Sequence, residues 1–329
     1  MKITKVLPLS LVVLLSACSG SSIKETTHFL FDTMVSISLK DGKKEDYKAL
    51  EKILKRYDAV SDNFKARDVF NVYSWSHTNE TVLVGEEEGQ APIELFNLIS
   101  SSFNAKTAGA DNLDYRLGSL IQKWKDAEAK GEALSDSVIQ EELAKRTASS
   151  YTVSNEPRSI KQSGVESFDY GATAKGCALD ACKEYLDTRE YLSDYIINAG
   201  SSSILLGTST RNKKYNEYYH VAIKELDNVG FLAKNCFVST SGTSEQGVTI
   251  DGVRYSHIIN PKDGSAVTNY DMVIVLSNNG TYGDAFSTSM MFNTIDEIKE
   301  LEFNNGLKTI VIKDKEILYK HRDIPFREL

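Results

Sequence analysis

Tyr255-Ser-His-Ile-Ile-Asn-Pro-Lys-Asp-Gly264, followed after one apolar strand by Asp284-Ala-Phe-Ser-Thr288, is the stretch on which the reading of this chain turns. Asp284 and Thr288 are four apart at the start of a helix, so their oxygens share one face. Gly283, just before them, lets the chain turn sharply into that helix. His257 comes after the turn signal Asp251-Gly252 and before Asn260-Pro261, at the end of a hairpin strand. An imidazole, a carboxylate and a hydroxyl in this order outline a site for a hard metal and a phosphate. Asp284 as the N-cap of its own helix, with Thr288 merely packing, accounts for that pair equally well. His257 reads either as a proton acceptor or as a group that orients a ligand.

Upstream, Asp169-Tyr-Gly-Ala-Thr-Ala-Lys-Gly176 turns into a helix. Gly171 permits close backbone approach to a ligand, the helix start offers a positive dipole end, and Lys175 can meet a phosphate as a point charge. Alone, such a turn is more often a strand-to-helix junction with a solvent lysine. In this order with the late motifs, it resembles the ApbE family, the FAD:protein FMN transferases, which take FMN from FAD and attach it to a Ser or Thr of another protein. The Asp169 turn is similar to the family pattern Asp-x-Gly-Gly-x-Ala-Lys-Gly, and His257-Ile-Ile-Asn-Pro261 to its His-Ile-Ile-Asp-Pro segment. Thr107-Ala-Gly109 with Leu117-Gly-Ser-Leu120 and Trp124, Tyr195-Ile-Ile-Asn-Ala-Gly200, and Thr240-Ser-Gly242 resemble further blocks in order, so the resemblance spans residues 28–320.

The resemblance implies an α+β fold, ApbE-like and T-fold-related, with mixed sheets and packed helices in a single large catalytic unit. It implies Mg²⁺ held by Asp284, Thr288 and the backbone carbonyl of Ala172, and FAD contacts from Asp169, Lys175 and His257. Met34, in the early Thr33-Met34 strand, would line the flavin site, although core packing explains it equally well. His257 or Asp284 would assist the acceptor hydroxyl. The chain departs from the pattern at Asn260 (for Asp), Ser201-Ser202 (for Gly-Asn or Gly-Asp), Ala172 (for Gly) and Asp111-Asn112 (for an aromatic-containing run). Such a member transfers FMN, or hydrolyses FAD to FMN and AMP as a pyrophosphatase, or binds FAD as a non-catalytic lipoprotein.

The N-terminus carries Lys2 and Lys5, the apolar run Val6 to Leu15, and Ser16-Ala17-Cys18. That run is too short to span a membrane and reads as a signal peptide over residues 1–18. Small residues before the Cys resemble a bacterial lipoprotein cleavage box, in which Cys18 is lipidated, with palmitate among its acyl chains. Residues 19–27 then form a tether and 28–329 the catalytic domain. The expected place is the outer face of a bacterial cytoplasmic membrane, or the periplasmic side of a two-membrane envelope. The expected acceptor is an exported flavoprotein. With 41% hydrophobic residues and 5 Pro among 329 residues, the chain can bury a substantial core. A net charge of −8 argues against nucleic acid and against a polybasic membrane contact. An anionic ligand therefore needs a cation, helix N-termini or placed basic groups. Cys177 and Cys182 are five apart on a helix, the wrong geometry for a shared metal, and read as small buried side chains.

Apolar periodicity predicts a strand from Thr33, a helix through Leu50 and Tyr57, a helix starting at Pro92, and one carrying Leu117, Leu120 and Trp124. Residues 125–148 read as a peripheral helical excursion, broken at Gly131 and restarted at Ser135. Strands follow near 151–154, at 195–200, 203–206, 219–223, 236–240, 272–276 and 309–312, with a hairpin to 317–319. Mixing without regular βαβ alternation favours α+β over a doubly wound sheet.

Overall fold

The computed structural model describes residues 11–14, 23–164, 167–210, 217–223, 226, 229–243, 247–250, 253–256 and 258–328; Cys18 and His257 lie outside them. The chain runs through Leu11–Leu14 (β1), the hairpin Ile23–Leu30 (β2) and Thr33–Lys40 (β3), Lys44–Ser61 (α1), Val72–Ser76 (α2), Thr81–Leu83 (β4) and Ile93–Thr107 (α3). Gly118–Lys130 (α4) and Asp136–Ala148 (α5) precede the hairpin Ser150–Asn155 (β5) and Arg158–Ser163 (β6), then Ala174–Asp187 (α6). Tyr195–Ala199 (β7), Ser203–Leu206 (β8), Tyr219–Ile223 (β9), Val229–Ala233 (β10) and Cys236–Gly242 (β11) follow, with the hairpin Gly247–Ile250 (β12) and Val253–Ser256 (β13). The last part is Met272–Ser277 (β14), Gly280–Ser289 (α7), Ile295–Asn305 (α8), Lys308–Lys313 (β15), Glu316–Lys320 (β16) and Phe326–Glu328 (β17).

The central sheet is antiparallel, in the order β16-β15-β14-β11-β8-β7-β3-β2. Its middle strands are buried on both faces because both are covered. On one face Val35, Ile37, Ile197, Leu205, Phe237, Val273 and Val311 pack beneath helices α1, α3, α6 and α7. On the other, Ile204, Leu206, Val238, Ile274 and Ile310 meet Val221, Ile223 and Phe231 of a smaller sheet, β1-β9-β10-β17. Leu11–Leu14, within the apolar run read as a leader, pairs antiparallel with β9. No helix among the described residues is long and apolar enough to cross a membrane.

The excursion forms two helices as expected, with the break at Gly131 and the restart with Ser135 at the N-cap position. It is not free of the rest: Leu117, Leu120, Trp124, Ile139 and Leu143 form a small core around Ile259. A β-carbon at Gly264 (φ 73°) would stand 2.4 Å from Ile139, and Arg146 donates to the Pro261 carbonyl at 2.6 Å. The helical pair thus supports the 258–265 turn, which begins beside His257.

Helices α6 and α7 touch backbone to backbone. A β-carbon at Gly176 would stand 2.2 Å from the Gly280 carbonyl oxygen, and one at Gly280 would stand 2.4 Å from that of Gly176. Gly176→Ala is expected to lower the urea unfolding midpoint by overpacking, at a cost of about 1–3 kcal/mol. Gly280→Ala should do the same, and the double variant should cost less than the sum, because one separation of the helices relieves both clashes.

Candidate active site

The two motifs, far apart in sequence, meet at this crossing. In α6 the first main-chain bond runs from the Cys177 N–H to the Thr173 carbonyl, which leaves the Gly176 N–H at the helix N-terminus to find another acceptor. Asp284 Oδ2 supplies it, at 2.7 Å. Asp284 is therefore not the N-cap of its own helix, which is Asn279, bonded to the Tyr282 N–H at 2.8 Å. Gly283 does not make the entry turn either. It lies inside α7, where the hydroxyls of Ser239 and Ser277 leave no room for a side chain.

Asp284 Oδ1 accepts from Ser203 Oγ at 2.8 Å and Ser239 Oγ at 2.6 Å, two residues that face each other across β8 and β11. Burial raises the Asp284 carboxyl above its ordinary range, opposed by the charge of Lys175 and by the bonds from Ser239, Ser203 and Gly176. Thr288, one turn on, lies 2.9 Å from Ser241 Oγ. Strand alternation puts Ser239 and Ser241 on the α7 side of β11 and turns Thr240 away.

A second carboxylate makes the reciprocal contact, and the motif reading missed it. Asp180 on α6 accepts from the Gly280 N–H at 2.5 Å and from the Thr281 N–H and hydroxyl at 2.9 and 2.7 Å. Each helix thus caps the N-terminus of the other. Burial pushes the Asp180 carboxyl up to about 6, against those bonds. The signal available in sequence was its place one turn after Gly176, on the same helix face. Ser203 and Ser239 were missed too, and Ser241, quoted within Thr240-Ser-Gly242, was given no role, although hydroxyls at inward strand positions mark buried polar contacts.

Asp169 Oδ1 accepts the Gly171 N–H at 2.6 Å, tightening the turn, and the Asp169 N–H donates to the Tyr115 carbonyl at 2.8 Å. The Tyr115 ring stacks on Tyr170 at 4.6 Å. This turn presents the Ala172 carbonyl, which accepts no hydrogen bond from a described residue. The half-buried Lys175 makes no hydrogen bond or ion pair among them either, so its charge acts on Asp284 through space. Met34 is 57% exposed, so core packing does not account for it. Its carbonyl accepts the Gly200 N–H at 3.0 Å, which puts it at the end of the sheet where Ser203 begins β8, on the face opposite Val35 and the helices. Asn112 reaches this end of the molecule as well, donating from its N–H to Ser289, next to Thr288. Cys177 and Cys182 are free and buried, as expected.

With this geometry in view, the sequence pattern described as the ApbE family matches residues 31–311. An "FAD:protein FMN transferase" from Rhodobacter capsulatus is 27% identical over 206 residues, covering 60% of this chain and 38% of that protein. One of the same name from Treponema pallidum (strain Nichols) is 27% identical over 232 residues, covering 62% of each. The chain thus spans less than two thirds of the length of these curated relatives. A crystal structure of the ApbE protein from Thermotoga maritima superposes with a TM-score of 0.75 at 21% identity, over 92% of this chain and 97% of that one. The fold is accordingly ApbE-like and α+β.

The raised Asp180 carboxyl gives a pH signature. Between about pH 4, where the unfolded group titrates, and its folded value of about 6, the folded state holds a proton that the unfolded chain has lost. Its contribution to stability is full below pH 4 and disappears as pH rises through 6. In urea unfolding from pH 4 to 7, wild type should lose stability with rising pH relative to Asp180→Asn. Parallel curves would place the carboxyl in its ordinary range.

Proposed function

This chain belongs to the ApbE family, and on that premise we propose that it is an FAD:protein FMN transferase, moving FMN from FAD to a Thr or Ser hydroxyl of an exported protein and releasing AMP. The observation that carries the reading is the bond from the Gly176 N–H to Asp284, which joins the two motifs across 108 residues of sequence. The name carried by the curated relatives supports it.

The residues at the crossing suit Mg²⁺. Asp284, Thr288 and the Ala172 carbonyl offer oxygen only, the donor set of a hard cation, and the Ala172 carbonyl has no other partner among the described residues. With a single carboxylate, this set is not a cluster of three His, Cys, Asp or Glu side chains, and none is found among the described residues. Mg²⁺ usually keeps few protein ligands and takes the rest from substrate phosphates and water. When bound, it supplies neutralisation of the pyrophosphate charge.

The protein's own part is to position and to move one proton. Lys175 and the N-terminus of α6 face the phosphates of FAD, and Asp169 fixes the turn that brings them there. The acceptor hydroxyl oxygen forms a bond to the FMN phosphorus. The bond from that phosphorus to the bridging oxygen breaks, and AMP leaves with the electron pair. His257 takes the hydroxyl proton. Asp284, whose oxygens already accept three hydrogen bonds, acts as the metal-binding carboxylate and not as the base. The flavin ring lies toward the exposed Met34. Residues 1–18 would place the enzyme, through lipidated Cys18, on the outer face of the cytoplasmic membrane or the periplasmic side of a two-membrane envelope, where an exported acceptor is met. Labelled palmitate should enter wild type and not Cys18→Ser.

The test is incubation of residues 19–329 with FAD, with and without Mg²⁺ and a flavin-carrier domain, followed by separation of AMP, FMN and protein-bound flavin. AMP with FMN on the carrier is expected. Activity should fall on the order of 100-fold or more in Asp284→Ala and on removal of Mg²⁺ by EDTA. AMP with free FMN alone would make the protein a pyrophosphatase, and intact bound FAD a binding protein.

A further inference from the structure

Thr288 ends a chain of buried hydroxyls whose proton order is fixed by its far end. Ser287 Oγ donates to the main-chain carbonyl of Asp284 at 3.0 Å, and a carbonyl can only accept. Ser241 Oγ lies 2.9 Å from Ser287 Oγ and 2.9 Å from Thr288 Oγ1. Ser287 and Ser241 are 1% and 8% exposed. Each hydroxyl has one proton. Once Ser287 has given its own to the carbonyl, it can only accept from Ser241. Ser241 has then used its proton and can only accept from Thr288. This is the one order in which all three contacts are hydrogen bonds. The opposite order leaves the Asp284 carbonyl without the Ser287 proton and points the Thr288 proton out of the chain.

A neutral hydroxyl binds a cation through a lone pair and must send its proton elsewhere. We propose that Ser241 and Ser287 are positioning residues that draw the Thr288 proton into the fold and so leave the Thr288 lone pairs facing a divalent cation. This rests on the reading of Thr288 as a metal ligand. The serines beside Asp284 follow the same logic, since Ser203 and Ser239 spend their protons on its Oδ1. Strands β8 and β11 thereby set the hydrogen-bond direction at both side-chain ligands.

The test is Mn²⁺ titration of the full chain in detergent, with free Mn²⁺ read by electron paramagnetic resonance and folding by urea unfolding. Ser241→Ala should weaken Mn²⁺ binding about 10- to 100-fold, as loss of an outer-shell partner does, and Ser241→Thr should hold it within about threefold of wild type. Ser287→Ala, which breaks the chain one bond further on without touching Thr288, should also weaken it and carries the test if Ser241→Ala does not fold. Unchanged Mn²⁺ affinity in folded Ser241→Ala and Ser287→Ala, with loss in Thr288→Val, overturns the proposal and leaves the metal reading standing. Wild-type affinity in Thr288→Val, or no Mn²⁺ binding by wild type, overturns both.

Discussion

The contact on which the rest of the site depends is the crossing of α6 and α7 at Gly176 and Gly280, where two main chains meet without side chains between them. So close an approach puts the N-terminus of each helix within reach of a carboxylate on the other. Asp284 takes the Gly176 amide, and Asp180 takes the amides of Gly280 and Thr281. A helix N-terminus has unpaired donors and a positive dipole end, and a buried carboxylate needs both. Neither arrangement is tenable alone. An uncapped buried helix end leaves amides unpaired, and an unbonded buried carboxylate protonates instead of binding a cation.

The central sheet brings the other parts to the same end. Register places Ser239 opposite Ser203, so two strands present hydroxyls to one carboxylate oxygen, while Ser241 reaches Thr288. The Asp169 turn is held from below by Tyr115 and stacked Tyr170. The 258–265 turn is held by Ile139, Leu143 and Arg146 of the helical pair. The helical pair, read from sequence as a peripheral excursion, therefore supports the segment next to His257.

Elements with a strong periodic signal were legible from the residues alone. These include β3, α1, α3, α6 and the strands from β7 to β9, with ends within a few residues of those expected. The strands β2, β6, β10 and β17 and the helix α8 were not singled out. β2 and β17 lie at sheet edges and β6 in a small three-stranded sheet, where one face meets solvent and the apolar signal is thin. Of the site, Asp284, Thr288, Lys175 and the Asp169 turn were legible as motifs, and the bond from the Gly176 N–H to Asp284 joins the late motif to the helix that follows the turn. Asp180 and the serines were not, since a lone acid on a helix or a serine in a strand has many ordinary explanations.

By itself, the sequence determined which chemical groups are available and in what order. It supplied a carboxylate and a hydroxyl one turn apart, a glycine turn into a helix with a lysine, and enough apolar residues for a substantial core. Those follow from local periodicity and residue type, which act over a few positions. Only the tertiary structure decided that Asp284 caps another helix instead of its own, that Gly283 serves packing and not turning, and that the hydroxyls of β8 and β11 point at Asp284 and Thr288. The physical reason is range. The register joins Ser203 to Ser239 and the helix crossing joins Gly176 to Gly280, pairs far apart in sequence, and hydrogen-bond direction at a buried hydroxyl is fixed only when every neighbour is in place.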